Sequence, residues 1–223
     1  MLIACWSVKG GSGVSVVAAA LAVSLARSSP PGALLVDLGG DSAALLGLRT
    51  PPGPGVAEWL AAGADVPADA LDRLGVAASP SLTLLPRGEA PLTSAARADV
   101  LAELLAGQRR PVVVDCGAVL GADSGAPGEV AAALARAAVQ SLLVIRPCYL
   151  ALRRAAALPL QPAGVVLVSE AQRAITARDV AAVVGAPVVA EVPVRPEVAR
   201  AVDAGLLAER LPRPLERALR RAA

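Results

Sequence analysis

The residues best placed to do chemistry are Val8-Lys9-Gly10-Gly11-Ser12-Gly13-Val14-Ser15, which follow a short apolar run and open a long helical pattern. Glycines let the backbone turn tightly and aim successive N–H groups into one concavity. The start of a helix adds its positive dipole end there, so the spacing predicts a seat for a phosphate. The ordinary phosphate-loop pattern G-x-x-x-x-G-K-[ST] fails twice, because Val8 stands where its first glycine would be and Val14 where its lysine would be. On the residues alone two readings fit: a loop that takes phosphate, or a glycine turn of the kind that precedes helices in sheets that bind nothing.

Composition narrows the other chemistry. The chain has no His, which excludes His-based triads and His-ligated zinc or haem. Cys5, Cys116 and Cys148 are odd in number and form no C-x-x-C pair, so neither a disulfide framework nor a zinc knuckle is indicated and a reducing compartment fits. Cys116, directly after Asp115, reads as a strand residue rather than a nucleophile, for no His exists to activate it. The net charge of +2 comes from 21 basic and 19 acidic residues, too balanced for a polyelectrolyte binder. Trp6, Trp59 and Tyr149 are the whole aromatic set, so no stacking platform and no sequence-specific nucleic-acid partner is expected. All but one of the basic residues are arginine, and the exception is Lys9.

These residues need elements to hold them. A chain of 223 residues suits one α/β domain, residues 1–223, with 206–223 as its C-terminal helical tail. Strands are predicted over 2–8, 33–38, 82–85, 111–116, 141–146, 164–169 and 187–192, mostly as continuous apolar runs suited to strands covered on both faces. Helices fit over 15–27, 56–62, 94–107, 128–138, 150–158, 177–184, 196–204 and 215–221. Thr176 with Asp179 has capping-box spacing, Gly185 sits where a C-terminal glycine belongs, and Pro196 and Gly205 frame the next helix. The alternation predicts a doubly wound, mostly parallel sheet with helices on both faces, whose ligands bind beyond the C-terminal strand ends. Segments 50–55 (TPPGPG) and 122–128 (ADSGAPG) read as loops. The 17 uncharged residues between Lys9 and Arg27 contain the glycine turn and are short of a membrane span, which argues against a leader and for a cytoplasmic protein.

Residues 9–15 (KGGSGVS) resemble the deviant Walker A box, K-G-G-x-G-K-[ST], of the ParA/MinD superfamily, whose signature is the early lysine. Residues 34–41 (LLVDLGGD) followed by 45–48 (LLGL) are similar to the second-strand switch region of that family, especially its CpaE-like and septum-site-determining branch. Residues 112–115 (VVVD) are similar to its Walker B strand, and 187–193 with 197–205 to its closing strand and helix, so the resemblance spans nearly the whole chain. It implies a P-loop NTPase fold binding ATP or ADP with Mg²⁺ on Lys9, Gly10, Gly11, Ser12, Gly13, Val14 and Ser15. Lys9 would reach the nucleotide of the opposite subunit in a homodimer, and Gly10, Gly11 and Gly13 would cradle phosphate. Ser15, Asp37 and Asp115 would lie in the metal and water shell. The implied role is that of a spatial regulator or scaffold in septum placement, pilus positioning or chromosome partitioning, acting with a protein partner of a positioning, secretion or division machinery.

Three positions depart from the family pattern. Val14 replaces the lysine that holds the β- and γ-phosphates, Gly39 replaces the second Asp of the D-x-D switch, and Ser169-Glu170 stands where an Asn reading adenine is expected. A charge-assisted hydrogen bond is worth roughly 1.5 to 3 kcal/mol, so the lost lysine should weaken phosphate binding by about one to two orders of magnitude. The lost switch carboxylate should cost turnover a further 10²- to 10³-fold or so. The expectation is a degenerate site, weakened toward nucleotide and with little or no ATPase activity. The alternatives are a purely structural relic and an active Mg²⁺-dependent ATPase using an Arg substitute, the latter favoured by Lys9, Ser15 and Asp115.

Asp41 reads either as the cap of a helix beginning at Ser42 or as a metal ligand. Arg109-Arg110 and Arg153-Arg154 read as solvated charge. Residues 195–223 carry seven arginines against four acids. The last helix sets Leu215, Ala218, Leu219 and Ala222 on one face, away from Arg217, Arg220 and Arg221, and resembles the membrane-targeting helix of the MinD branch. Two leucines bury little area, so packing on its own domain is expected, and any membrane contact should be weak and peripheral, at the inner membrane.

Overall fold

The computed structural model describes residues 1–49, 53–63, 66–119 and 125–222. All six residues of β1 (Leu2–Ser7) are buried, and alternate side chains serve different cores: Leu2, Ala4 and Trp6 join one, Ile3 and Cys5 the other. That division follows from the period of two in an extended strand, and it explains why the strand reads as an unbroken apolar run. The only polar handle in its middle, the Trp6 indole N–H, donates to Ser141 Oγ at 2.9 Å.

Among the described residues eight strands make one sheet in the order β3-β4-β2-β5-β1-β6-β7-β8. Besides β1 these are β2 (Ala33–Asp37), β3 (Val76–Ser79), β4 (Leu82–Leu85), β5 (Val112–Ala118), β6 (Gln140–Ile145), β7 (Gly164–Ser169) and β8 (Val188–Pro193). Every pairing is parallel except β3 with β4. One face is covered by α3 (Val56–Ala61), α4 (Ala98–Ala106), α5 (Gly125–Ala137), α6 (Tyr149–Ala157) and α7 (Ala177–Val184). The other is covered by α1 (Val14–Ser28), α2 (Ser42–Leu45), α8 (Pro196–Asp203) and α9 (Arg213–Leu219). The doubly wound, mostly parallel α/β sheet expected from the sequence is therefore the architecture observed.

The differences have local causes. β3 was not predicted: its four residues are only partly covered and include two alanines and a serine, so no apolar run marks it. It is an edge strand, held by its antiparallel partner. α4 starts at Ala98 rather than at 94, because the preceding Arg97 is drawn across the chain. Its guanidinium lies 3.7 Å over the Trp59 ring and donates to the carbonyls of Trp59 and Val66. The segment 122–128, expected to be a loop, is corrected in part: α5 begins at Gly125, with Pro127 tolerated in its first turn, while 122–124 lie outside the described residues, as do 50–52 of the other expected loop. The Thr176–Asp179 capping box forms as expected, and Gly185 takes the left-handed conformation at the end of α7.

The apolar face of the last helix is turned inward. Leu215 and Leu219 of α9 and Ala222 beyond it are buried with Leu207 and Leu211 in the core that α1 and β8 share. Among the described residues no helix is long and apolar enough to cross a membrane.

Candidate phosphate-binding site

Parallel register gathers the candidate residues at one edge of the sheet. Asp37 pairs with Asp115 across β2 and β5, and Cys5 pairs with Asp115 across β1 and β5, so Asp37, which ends β2, and Asp115, within β5, lie side by side toward the edge where the loop leaves β1. This is the edge where open α/β sheets take ligands.

The loop itself is held from within. The hydroxyls of Ser7 and Ser12 donate to the Lys9 carbonyl at 2.9 and 2.8 Å, folding residues 7–12 into a tight turn. Gly11 and Gly13 have φ of +74° and +92°, which a side chain would strain, and open space surrounds the positions a Cβ would take on Gly10 and Gly11. Among the described residues no side chain caps α1, so its first N–H groups face the cavity without a side-chain acceptor. That cavity has a volume of about 730 Å³ and is lined by Gly10, Gly11, Ser12, Gly13, Val14 and Ser15, with Gly39, Asp41 and Arg87 opposite.

The other predicted residues divide by environment. Lys9 is exposed and is not part of the cavity wall. Val14 is only 6% exposed and packs into the α1 core, so the position the family gives to a lysine serves the core as much as the cavity. Both oxygens of buried Asp37 accept backbone N–H groups, from Gly40 at 2.7 Å and Ser42 at 3.0 Å. Asp37 thereby ties down the turn and the start of α2, the task the sequence reading offered to Asp41. Asp41 caps nothing and stays exposed on the cavity wall. Burial raises the Asp37 carboxyl, against the pull of those two N–H groups.

Asp115 has no exposed surface. Burial, with Asp37 and Asp41 adding like charge, pushes its carboxyl up to about 6, against the Ser15 hydroxyl and the Gly117 N–H that favour the ionised form. The Gly117 N–H donates to Oδ1 at 3.0 Å, whereas Oδ2 is buried without a partner among the described residues. An orphaned carboxylate oxygen beside a serine hydroxyl and a phosphate-sized cradle is a donor set for a hard divalent cation. Among the described residues no group of three or more acidic or sulfur ligands could hold a metal by itself, so phosphate oxygens would have to complete the shell. Cys5 and Cys116 are held well above their usual range by burial and are inert thiols.

Ser169 ends β7, and Glu170 after it is engaged by Arg146 at 3.1 Å and by Arg173. The strand end where an adenine-reading Asn is expected is thus occupied by an ion cluster. A second cavity of about 610 Å³ lies between α4, α5 and α6 and meets the loop at Val8, whose carbonyl accepts from Arg154 Nη1 at 3.4 Å.

Two residues escaped the sequence reading. Glu58 accepts the N–H groups of Gly55, Glu89 and Ala90 at 2.7, 2.9 and 2.7 Å; burial raises its carboxyl, but these bonds outweigh it and hold it below the usual range. Arg87, on the segment that Glu58 ties down, is the only cationic side chain among the described residues lining the loop cavity. Its position just beyond β4, at the ligand edge of the sheet, was the available signal.

No family model and no curated protein matches the chain. Solved structures do. A ParA family ATPase from Chlorobium tepidum TLS is 21% identical with a TM-score of 0.75, over 98% of this chain and 95% of that one. The septum site-determining protein MinD of Pyrococcus horikoshii OT3, solved with Mg-ADP, is 20% identical with a TM-score of 0.73, over 97% and 91%. The MinC:MinD cell division complex of Aquifex aeolicus includes a chain 18% identical with a TM-score of 0.71, over 98% and 92%. The chain therefore has the fold of ParA- and MinD-type P-loop ATPases.

Proposed function

We propose that this chain is a nucleotide-responsive scaffold of the ParA/MinD type, CpaE-like in its switch region, which takes ATP or ADP with Mg²⁺ on residues 9–15 and turns it over poorly. The observation that carries the reading is the open cradle: Gly11 and Gly13 hold the positive φ the turn needs, the α1 N–H groups are uncapped, and the cavity before them is clear. Val14, packed into the core, supplies no cation from within that loop, which supports weakened binding.

The residues present fit the absent groups. Ser15 and Asp115 would hold Mg²⁺ together with phosphate oxygens, and the metal would neutralise phosphate charge there. Asp37 orders the turn that carries Gly39 and Gly40 beside it. Lys9, exposed and outside the cavity wall, is free to reach a second copy of the chain, which supports a nucleotide-linked homodimer. By likeness to the MinC:MinD complex, the bound state would recruit a protein partner of a division, positioning or secretion machinery at the cytoplasmic side of the inner membrane.

The test is a calorimetric titration of ATP and ADP with and without Mg²⁺, beside a phosphate-release assay. Saturable, Mg²⁺-dependent binding with phosphate release at background is expected. If neither nucleotide binds, the loop is a structural relic. Steady release abolished by Ser15→Ala makes the protein a working Mg²⁺-dependent ATPase, the second reading, favoured by the orphaned Asp115 oxygen beside Ser15.

A further inference from the structure

A phosphate seat without a cation binds weakly, and the loop has lost its cation at Val14. The cavity has not. Arg87 is half-buried on its wall, reaching from the segment after β4, and its Cδ and Nη1 lie 3.6 and 3.7 Å from where a Cβ on Gly40 would stand. Among the described residues Arg87 makes no side-chain hydrogen bond, and the ion pairs formed are Arg73–Asp69, Arg146–Glu170 and Arg173–Glu170. The guanidinium is thus held at the cavity with its donors unspent.

Its placement is built in. The Val56 and Ala57 N–H groups donate to the carbonyls of Pro86 and Arg87 at 2.9 and 2.8 Å, and Glu58 accepts from Glu89 and Ala90 on the other side. The approach is so close that a Cβ on Gly55 would stand 2.3 Å from the Pro86 carbonyl oxygen and the Gly88 nitrogen. A second buried group lies next to the same cavity: Asp115 Oδ2, without a partner among the described residues, sits behind Gly39, which lines the wall.

We propose that Arg87 is the phosphate-binding cation of this site, contacting the nucleotide phosphates from across the cavity in place of the lysine that Val14 displaces. A guanidinium suits the task, because its fork of donors matches two phosphate oxygens and it stays charged at any working pH. Asp41 is the acid on the same wall, so Arg87 also offsets the charge that would otherwise repel a phosphate. The assignment rests on the reading that the loop takes nucleotide.

The test is calorimetry of Mg-ATP, Mg-ADP and adenosine on the full chain, comparing wild type, Arg87→Ala, Arg87→Lys, Val14→Lys and Val14→Lys/Arg87→Ala, with thermal unfolding as a control for folding. Arg87→Ala is expected to weaken Mg-ATP by roughly ten- to a hundredfold, with adenosine unchanged and the unfolding midpoint kept, and Arg87→Lys to recover part of the loss. Val14→Lys should gain far more in the Arg87→Ala chain than in wild type, since two cations would serve one phosphate group. Wild-type binding unchanged by Arg87→Ala overturns the assignment and leaves the nucleotide reading standing. No binding by wild type, with binding by Val14→Lys, overturns both.

Discussion

Asp115 crowds any side chain at Gly39: a Cβ there would stand 2.9 Å from Asp115 Oδ2. Asp115 cannot swing aside cheaply, since its other oxygen accepts the Gly117 N–H and the residue has no exposed surface. In this chain the Asp115 carboxylate fills the space beside Gly39 that a larger residue there would need. Gly39→Ala should cost about 1 to 3 kcal/mol in urea unfolding, the usual range for overpacking a close site. Gly39→Asp should cost more, and more at pH 8 than at pH 5, because it sets a second carboxylate against the first. Equal stability of Gly39→Asp and wild type at pH 8 would show that Asp115 is free to rotate.

The second prediction concerns pH. The Asp115 carboxyl sits at about 6 in the folded chain against an ordinary 3.8, so between those values the folded state binds more protons than the unfolded one. Stability from this group is accordingly greatest at the acid end, declines as pH rises from about 4 to 6, and is flat above. The span corresponds to about 3 kcal/mol at most. Without Mg²⁺, Asp115→Asn should gain on wild type as pH rises through that window and hold the gain at pH 7 to 8. Paired urea titrations at pH 4.5 and 7.5 measure it, and a constant difference would mean that burial does not raise the Asp115 carboxyl.

Glu58 should matter out of proportion to its surface position. It accepts three N–H groups from two segments, and a Cβ on Gly88 would stand 1.8 Å from its Oε2. Glu58→Ala leaves those donors unmet and should cost about 1 to 3 kcal/mol, while Glu58→Gln, which keeps an acceptor, should cost less. Because the same segment carries Arg87, Glu58→Ala should also weaken Mg-ATP binding without changing the adenosine contribution. Calorimetry on the folded variant checks the second effect independently of the first.

The C-terminal helix is expected to behave as core. Leu215→Ala should destabilise the chain by about 2 to 5 kcal/mol, as for any fully buried leucine. Removing residues 214–223 should uncover Leu207 and Leu211 and promote aggregation. Intact protein should bind anionic vesicles feebly, through Arg217, Arg220 and Arg221, and lose that binding as salt rises. Strong co-sedimentation at physiological salt would mean that α9 leaves its seat.

Local signals were enough for much of this protein. Continuous apolar runs marked seven of the eight strands, because a strand covered on both faces must be apolar throughout, and the spacing of Gly10, Gly11 and Gly13 marked the loop, because only a glycine-rich turn between strand and helix aims backbone N–H groups into one space. The β3 edge escaped because three half-covered residues and one exposed alanine leave no periodic trace. What the sequence could not decide depends on residues brought together from distant segments. Asp37 reads as a metal-shell acid, yet only the folded turn shows both its oxygens accepting Gly40 and Ser42. The face of Leu215 and Leu219 suits a membrane as well as a core, and the competition is decided by the apolar surface of α1 and β8 waiting beside it. Arg87 is one arginine among many until the backbone of α3 docks against residues 86–90 and holds it on the cavity wall opposite the phosphate loop, a placement set by packing between elements and by no local pattern.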